Sequence, residues 1–246
     1  YIVRNRMTNI SSYGLDSIHS KKILPASEIL SERFSSLIFD LDGTILDSMS
    51  AWGDVDKVFL EAKGHKVTKD YTDFVKNTDV WTAAEYTKNR YHINMPVQEI
   101  IDSWDQLISQ AYSSTIMAKP GVASFIANCK RLGMRIACAT ALSRKNAEAG
   151  LLNNGLLHFF DDVVTLDDIG HKIDKSSPEI FLESMDRLGE NCQEKCLVFE
   201  DLMNALQTAS SSGFSTCAVY DSINDFEWES SVNLASFFVK DWKYCK

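Results

Sequence analysis

The stretch "SSLIFDLDGTILDSM", residues 35–49, runs from the apolar Leu37, Ile38 and Phe39 straight into two aspartates, Asp40 and Asp42, followed by Gly43 and Thr44. A short apolar run of this kind reads as a buried strand, and two like charges at its end call for a cation. Outward from it, "RIACAT" (135–140), "DVVTL" (162–166), "CLVFE" (196–200), "TCAVY" (216–220) and "SFFVK" (236–240) repeat the pattern. Runs apolar nearly throughout are strands covered on both faces, which favours a parallel sheet sandwiched by helices. Between them "PGVASFIANCKRLG" sets Val122, Phe125, Ile126 and Cys129 on one helical stripe and stops at Gly133. Gly155, Gly189 and Gly213 close later helical patterns ahead of further strands. The expected fold is α/β, a doubly wound and mostly parallel sheet.

Residues 49–116 break this rhythm. Met49, Trp52, Val55 and Phe59 form one helical stripe, and Val97, Ile100, Ile101, Trp104, Leu107, Ile108 and Ala111 a stronger one behind Pro96. With no strand between them, 49–116 is expected to be an inserted α-helical cap, and 34–48 with 117–246 the core. The crossings fall near residues 47–50 and 116–120, a natural hinge. Residues 1–33 are polar and weakly patterned, with Met7 a candidate start, and are expected to be an N-terminal extension whose structure the pattern leaves open.

A net charge of −9 over 246 residues, with no basic block, argues against nucleic acid or an anionic membrane as partner. A small anionic substrate stays open, because a metal and a few local cations can reverse the potential inside one cleft. The six cysteines contain no C-x-x-C pair and sit largely in apolar segments, as reduced thiols do. The N-terminus lacks the apolar core of a secretory signal, so the expected setting is cytoplasmic. The expected state is a monomer or weak dimer.

In an open parallel sheet the reactive groups sit at the carboxyl ends of strands. After the first strand come Asp40, Asp42, Gly43 and Thr44; after the second, Thr140; before the fourth, Lys175; after it, Glu200 and Asp201. An oxygen-only set of carboxylates suits a hard ion, magnesium above all, with Asp40 and Asp201 as ligand candidates. The metal and Lys175 would let Asp40 stay ionised beside its neighbours, leaving Asp42 free to carry a proton. Gly43 would let the backbone approach an anion, with consecutive N–H groups of the turn facing phosphate oxygens.

"DLDGT", Thr140, Lys175 and "FED" (199–201), in this order, resemble the four motifs of the haloacid dehalogenase-like superfamily over roughly residues 34–240. The inserted segment resembles the helical cap of phosphoglycolate phosphatases and β-phosphoglucomutase. The resemblance implies that Asp40 attacks phosphorus, and that Asp42 protonates the leaving oxygen and then takes a proton from water. It implies magnesium on the Asp40 carboxylate, the Asp42 backbone carbonyl and Asp201, with Glu200 nearby, and phosphoryl oxygens on Gly43, Thr44, Thr140, Ala141 and Lys175. The sequence departs from the family at "IDKSSPEIF" (173–181), where a Gly-Lys-Pro-x-Pro stretch is usual, and at Ala205, usually glycine. Pro178 to Phe181 keep the register on Lys175, with Lys172 as the competing lysine.

The implied function is a magnesium-dependent phosphatase acting on a small phosphorylated metabolite. A β-phosphoglucomutase-like sugar phosphomutase is the nearest alternative, and a receiver-like or non-catalytic phosphate-binding module a more distant one. A mutase needs a second cationic phosphate site. In "DFVKNTDVWTAAEYT" (73–87) Lys76 is the sole cation, while Asn77, Asp79 and Val80 stand where an arginine beside a glycine turn is wanted. Arg144 and Lys145 follow the helix cap Ser143, an unfavourable place for cations that a second substrate anion or simple solvation would explain. Trp81 and Trp104 read as cap core, and Trp52, nearest the hinge, as the tryptophan to test. The five histidines show no zinc spacing.

Overall fold

Leu37 and Phe39 point to one side of their strand and Ile38 to the other, and all three are fully buried. A strand hidden on both faces needs helices on both sides, and the architecture follows from that. The computed structural model describes residues 22–75, 78–170 and 174–245. Six strands, β1 (Ser36–Phe39), β2 (Arg135–Thr140), β3 (Asp162–Thr165), β4 (Cys196–Glu200), β5 (Ser215–Val219) and β6 (Phe237–Val239), form one parallel sheet in the order β3-β2-β1-β4-β5-β6. On one face lie α1 (Ser27–Arg33), α6 (Val122–Arg131) and α7 (Arg144–Asn153), through Leu30, Phe125, Ile126 and Leu151. On the other lie α9 (Glu179–Arg187) and α10 (Met203–Ser211), through Ile180, Phe181, Ala205 and Ala209. A short α8 (Leu166–Ile169) follows β3, and α11 (Trp228–Leu234) packs beside α10.

Strand order reverses between β1 and β4, which opens a crevice at their carboxyl ends. Phe39 pairs in register with Phe199, so Asp40 and Glu200 emerge side by side. The two phenylalanine rings stack at 4.3 Å and form the floor beneath those acids. Such a pair adds about 1 kcal/mol beyond its buried area.

Between β1 and β2 lie four helices, α2 (Met49–Glu61), α3 (Lys69–Val75), α4 (Val80–Arg90) and α5 (Val97–Ser114). The two strong stripes read from the sequence are α2 and α5, and Trp104 packs edge-on against Phe59 between them at 5.8 Å. The chain leaves and re-enters the sheet region through two paired segments: Asp47 N–H donates to Met117 O at 2.9 Å, and Lys119 N–H to Ile45 O at 2.7 Å. Residues 22–33 pack against this core. Ile23 bridges Phe238 beside β6 through its backbone, and Leu24 and Leu30 are buried against the core, while the side chains of Ile23 and Ile29 stay exposed. No helix among the described residues is long and apolar enough to cross a membrane. The six cysteines are free thiols.

Candidate active site

The loop after β1 folds around one carbonyl: the N–H groups of Thr44, Ile45 and Leu46 all donate to Leu41 O, and Gly43 N–H donates to Leu46 O. This corrects one expectation. The N–H groups of Gly43 and Thr44 are consumed within the loop, whereas those of Leu41, Asp42 and Ala141 have no partner among the described residues. Gly43 is required for another reason. Its φ is +79°, and a Cβ there would stand 2.8 Å from Asp201 Cγ, so only glycine lets the loop close on that carboxylate. Thr44 serves Asp201 too, its hydroxyl donating to Oδ1 at 3.3 Å, while its carbonyl accepts from Trp242 Nε1 at 3.1 Å.

Asp40, Glu200 and Asp201 are buried, and one ligand oxygen from each lies within 4.8 Å of the others. Lys175, 8 % exposed, donates to Asp40 Oδ1 and, at 2.7 Å, to Glu200 Oε1. Asp174 turns away to accept from Ser176 N–H at 2.8 Å, and Lys172 lies outside the described residues. Glu200 Oε2 accepts from the N–H groups of Asp201 and Leu202 at 3.0 and 3.1 Å, so both its oxygens are engaged and its main work is to hold Lys175. Asp201 Oδ2 accepts from Asn224 Nδ2 at 2.7 Å. Asp40 Oδ2 is buried and has no partner among the described residues.

Three carboxylates face one ammonium here. Burial alone would lower the Lys175 ammonium, but Asp40 and Glu200 outweigh it and raise it. Burial pushes Glu200 up to about 7 against the pull of Lys175, and burial with the charges of Glu200 and Asp40 pushes Asp201 up as well. The cluster is short of positive charge by the amount one divalent cation supplies. An orphaned Asp40 oxygen, an all-oxygen donor set and an Asp42 carbonyl with no hydrogen bond among the described residues fit a hard divalent ion.

Asp42 faces the other way. Its Oδ1 accepts from Ser48 Oγ at 2.6 Å, and Tyr112 OH lies 2.7 Å from both carboxylate oxygens. Burial, with repulsion from Asp40, pushes this carboxyl up to about 6 despite those donors. Thr140 ends β2 at the crevice, its hydroxyl oxygen accepting from Leu142 N–H at 3.2 Å, and Ala141 is exposed beside it.

Sequence reasoning missed Ser48, Tyr112, Lys119 and Asn224. Lys119 donates to Gly43 O and to Tyr220 O at 2.8 Å and pairs with Asp221 at 3.0 Å, tying the returning hinge segment to the first loop. The only local signal was position, since Ser48 and Lys119 fall on the two crossings. The Arg144 puzzle resolves within the chain: its guanidinium reaches Asp168 at 2.8 Å and Glu148 at 3.4 Å. Burial would raise Asp168, but hydrogen bonds from Thr165 and the Arg144 charge hold it down at about 2.

The sequence profile of the haloacid dehalogenase-like hydrolases matches residues 37–219. The chain belongs to that family. Several of the relatives it matches are named as phosphatases. It is 28% identical over 186 residues to the fructose-1-phosphate phosphatase YqaB of Escherichia coli, covering 74% of this chain and 94% of that one. It is also 28% identical over 195 residues to the bifunctional riboflavin kinase/FMN phosphatase of Arabidopsis thaliana, covering 78% of this chain but only 50% of the plant protein. In fold it is similar to CbbY of Rhodobacter sphaeroides, solved with phosphate, with a TM-score of 0.74, 21% identity, and 86% and 96% of the two chains covered.

Proposed function

We propose that this chain is a magnesium-dependent phosphatase that hydrolyses a small phosphorylated metabolite through a phosphoryl group carried on Asp40. The observation that carries the reading is the buried, unpartnered Asp40 Oδ2, flanked by Lys175 and Asp201 at the β1/β4 crevice. The relatives named as phosphatases support the reaction class.

Asp40 attacks phosphorus, forming an acyl phosphate as the bond to the leaving oxygen breaks. Asp42 gives that oxygen its proton. It then takes a proton from the water that attacks phosphorus, and the Asp40–phosphorus bond breaks to release inorganic phosphate. A carboxyl near pKa 6 suits a group that must both give and accept a proton near neutrality. Lys175, the hydroxyl of Thr140 and the N–H groups of Leu41, Asp42 and Ala141 are the donors available to phosphoryl oxygens. Magnesium, held by Asp40, the Asp42 carbonyl and Asp201, would supply the charge that lets an anionic nucleophile meet an anionic phosphate.

Residues 49–116 act in this reading as a cap over a core of 34–48 and 117–246. Water, and not a second sugar hydroxyl, is the acceptor. A mutase needs a free cation for a distal phosphate, and of the two cations that open α7 Arg144 is already paired with Asp168 and Glu148, which leaves the exposed Lys145 alone. Lys76 and Asn77 lie outside the described residues. The test is phosphate release from a panel of sugar phosphates, FMN, pyrophosphate and phosphoglycolate, with magnesium and with a chelator. Release confined to the magnesium arm is expected; release that a chelator leaves untouched contradicts the proposal.

A further inference from the structure

Tyr112 is fully buried near the end of α5, with its hydroxyl 2.7 Å from each carboxylate oxygen of Asp42. Trp52 Nε1 lies 3.1 Å from the same hydroxyl. An indole N–H can only donate, so it occupies the acceptor side of the phenol oxygen and leaves the phenol proton aimed at Asp42. Ser48, just ahead of α2, adds a second donor at 2.6 Å. The ring has little freedom: a Cβ on Gly150 of α7 would stand 3.1 Å from Tyr112 Cδ1. Two turns earlier, α5 is pinned to α7 where Asn146 Nδ2 donates to Asp105 Oδ1 at 2.7 Å and to its carbonyl at 3.1 Å. A directional chain of donors thus runs from α2 through α5 to the one carboxylate that must handle protons.

We propose that Tyr112, oriented by Trp52, is a positioning residue that sets Asp42 for the second half-reaction, the removal of the phosphoryl group from Asp40 by water. The inference rests on the acyl-phosphate reading above. In that step water oxygen bonds to phosphorus, the Asp40–phosphorus bond breaks, and the water proton passes to Asp42. A carboxylate held on both oxygens by donors is fixed in the acceptor role that this transfer needs. The first half-reaction asks Asp42 to donate, and the same chain gives it no assistance there.

Tyr112→Phe keeps the ring and removes the donor, while Trp52→Phe keeps the phenol and removes what orients it. The probe is p-nitrophenyl phosphate with magnesium, whose leaving group needs no proton, so the first step is insensitive to Asp42. Acid-quench time courses follow the decay of phosphate on the protein once substrate is exhausted. In Tyr112→Phe that decay is expected to slow by about tenfold or more, with kcat falling and kcat/KM unchanged. Trp52→Phe shifts the decay in the same direction by less, and carries the test alone should Tyr112→Phe fail to fold. Decay at the wild-type rate, or kcat/KM falling as far as kcat, overturns the positioning role. Absence of protein-bound phosphate in the wild type during turnover removes the acyl-phosphate reading and this proposal with it, whereas bound phosphate that decays normally in both variants removes this proposal alone.

Discussion

Asp40 differs from Glu200 and Asp201 in that one of its buried oxygens accepts nothing from the described residues, while every carboxylate oxygen of Glu200 and Asp201 has a donor. A buried lone pair left open costs free energy, and a site that keeps one has a use for it. Asp40→Asn retains the shape and the neighbours but removes the nucleophile, so kcat is expected to fall by at least about 10³-fold while far-ultraviolet circular dichroism stays native. Gly43→Ala tests the packing of the same acids. Its new methyl meets the Asp201 carboxylate at a backbone angle of +79°, which predicts a stability loss above about 1 kcal/mol and a much weakened response to magnesium. Urea unfolding and a magnesium titration of turnover check both parts. A variant with wild-type metal dependence would show that Asp201 is not where the metal matters.

At the level of elements, α2, α3 and α4 are held together by a buried polar cluster: Tyr71 OH donates to Asp56 Oδ1 at 3.0 Å and lies 3.0 Å from Thr87 Oγ1. Burial pushes Asp56 up to about 6 against the hydrogen bond from Tyr71. A carboxyl whose folded pKa is raised contributes most stability below its unfolded value of 3.8 and loses that contribution as pH rises through about 6. Asp56→Asn cannot ionise, so its stability relative to wild type is expected to grow between pH 4.5 and 7, by up to about 2 kcal/mol. Urea unfolding at the two pH values reads the difference, and a gap that does not change with pH contradicts it. The same elements mark what sequence could tell. The strands were legible because each is apolar on both faces, and α2 and α5 because their stripes are strong. α3 and α4 were not, since they bury little beyond Tyr71 in one and Ala83, Ala84 and Thr87 in the other. Asp40, Asp42, Thr140, Lys175 and Asp201 were legible because each stands at a strand end or a fixed offset from one. Tyr112 and Asn224 were not: each meets its carboxylate across a fold that brings together residues 70 and 23 positions apart.

Across the whole molecule, the inserted helices touch the sheet side at two kinds of place, the paired crossing segments near Leu46 and Ala118 and the α5 to α7 face that carries Tyr112. Substrate would enter between them. Of the cations near that cleft, Arg144 is committed to Asp168 and Glu148 and Lys119 to Asp221, which leaves the single exposed Lys145 at the start of α7 as a weak purchase on a second phosphate. With β-glucose 1-phosphate and a trace of the 1,6-bisphosphate, free phosphate is therefore expected to appear faster than glucose 6-phosphate; the reverse order would make the protein a mutase. The central claim, that a phosphoryl group passes through Asp40, has a more direct test. Protein quenched with acid during magnesium-supported turnover is digested and its peptides are sequenced by mass spectrometry. A phosphate adduct is expected on the peptide spanning residues 35–49, assigned to Asp40, absent without magnesium and absent in Asp40→Asn. Full turnover with no adduct, or an adduct on any other residue, would contradict it.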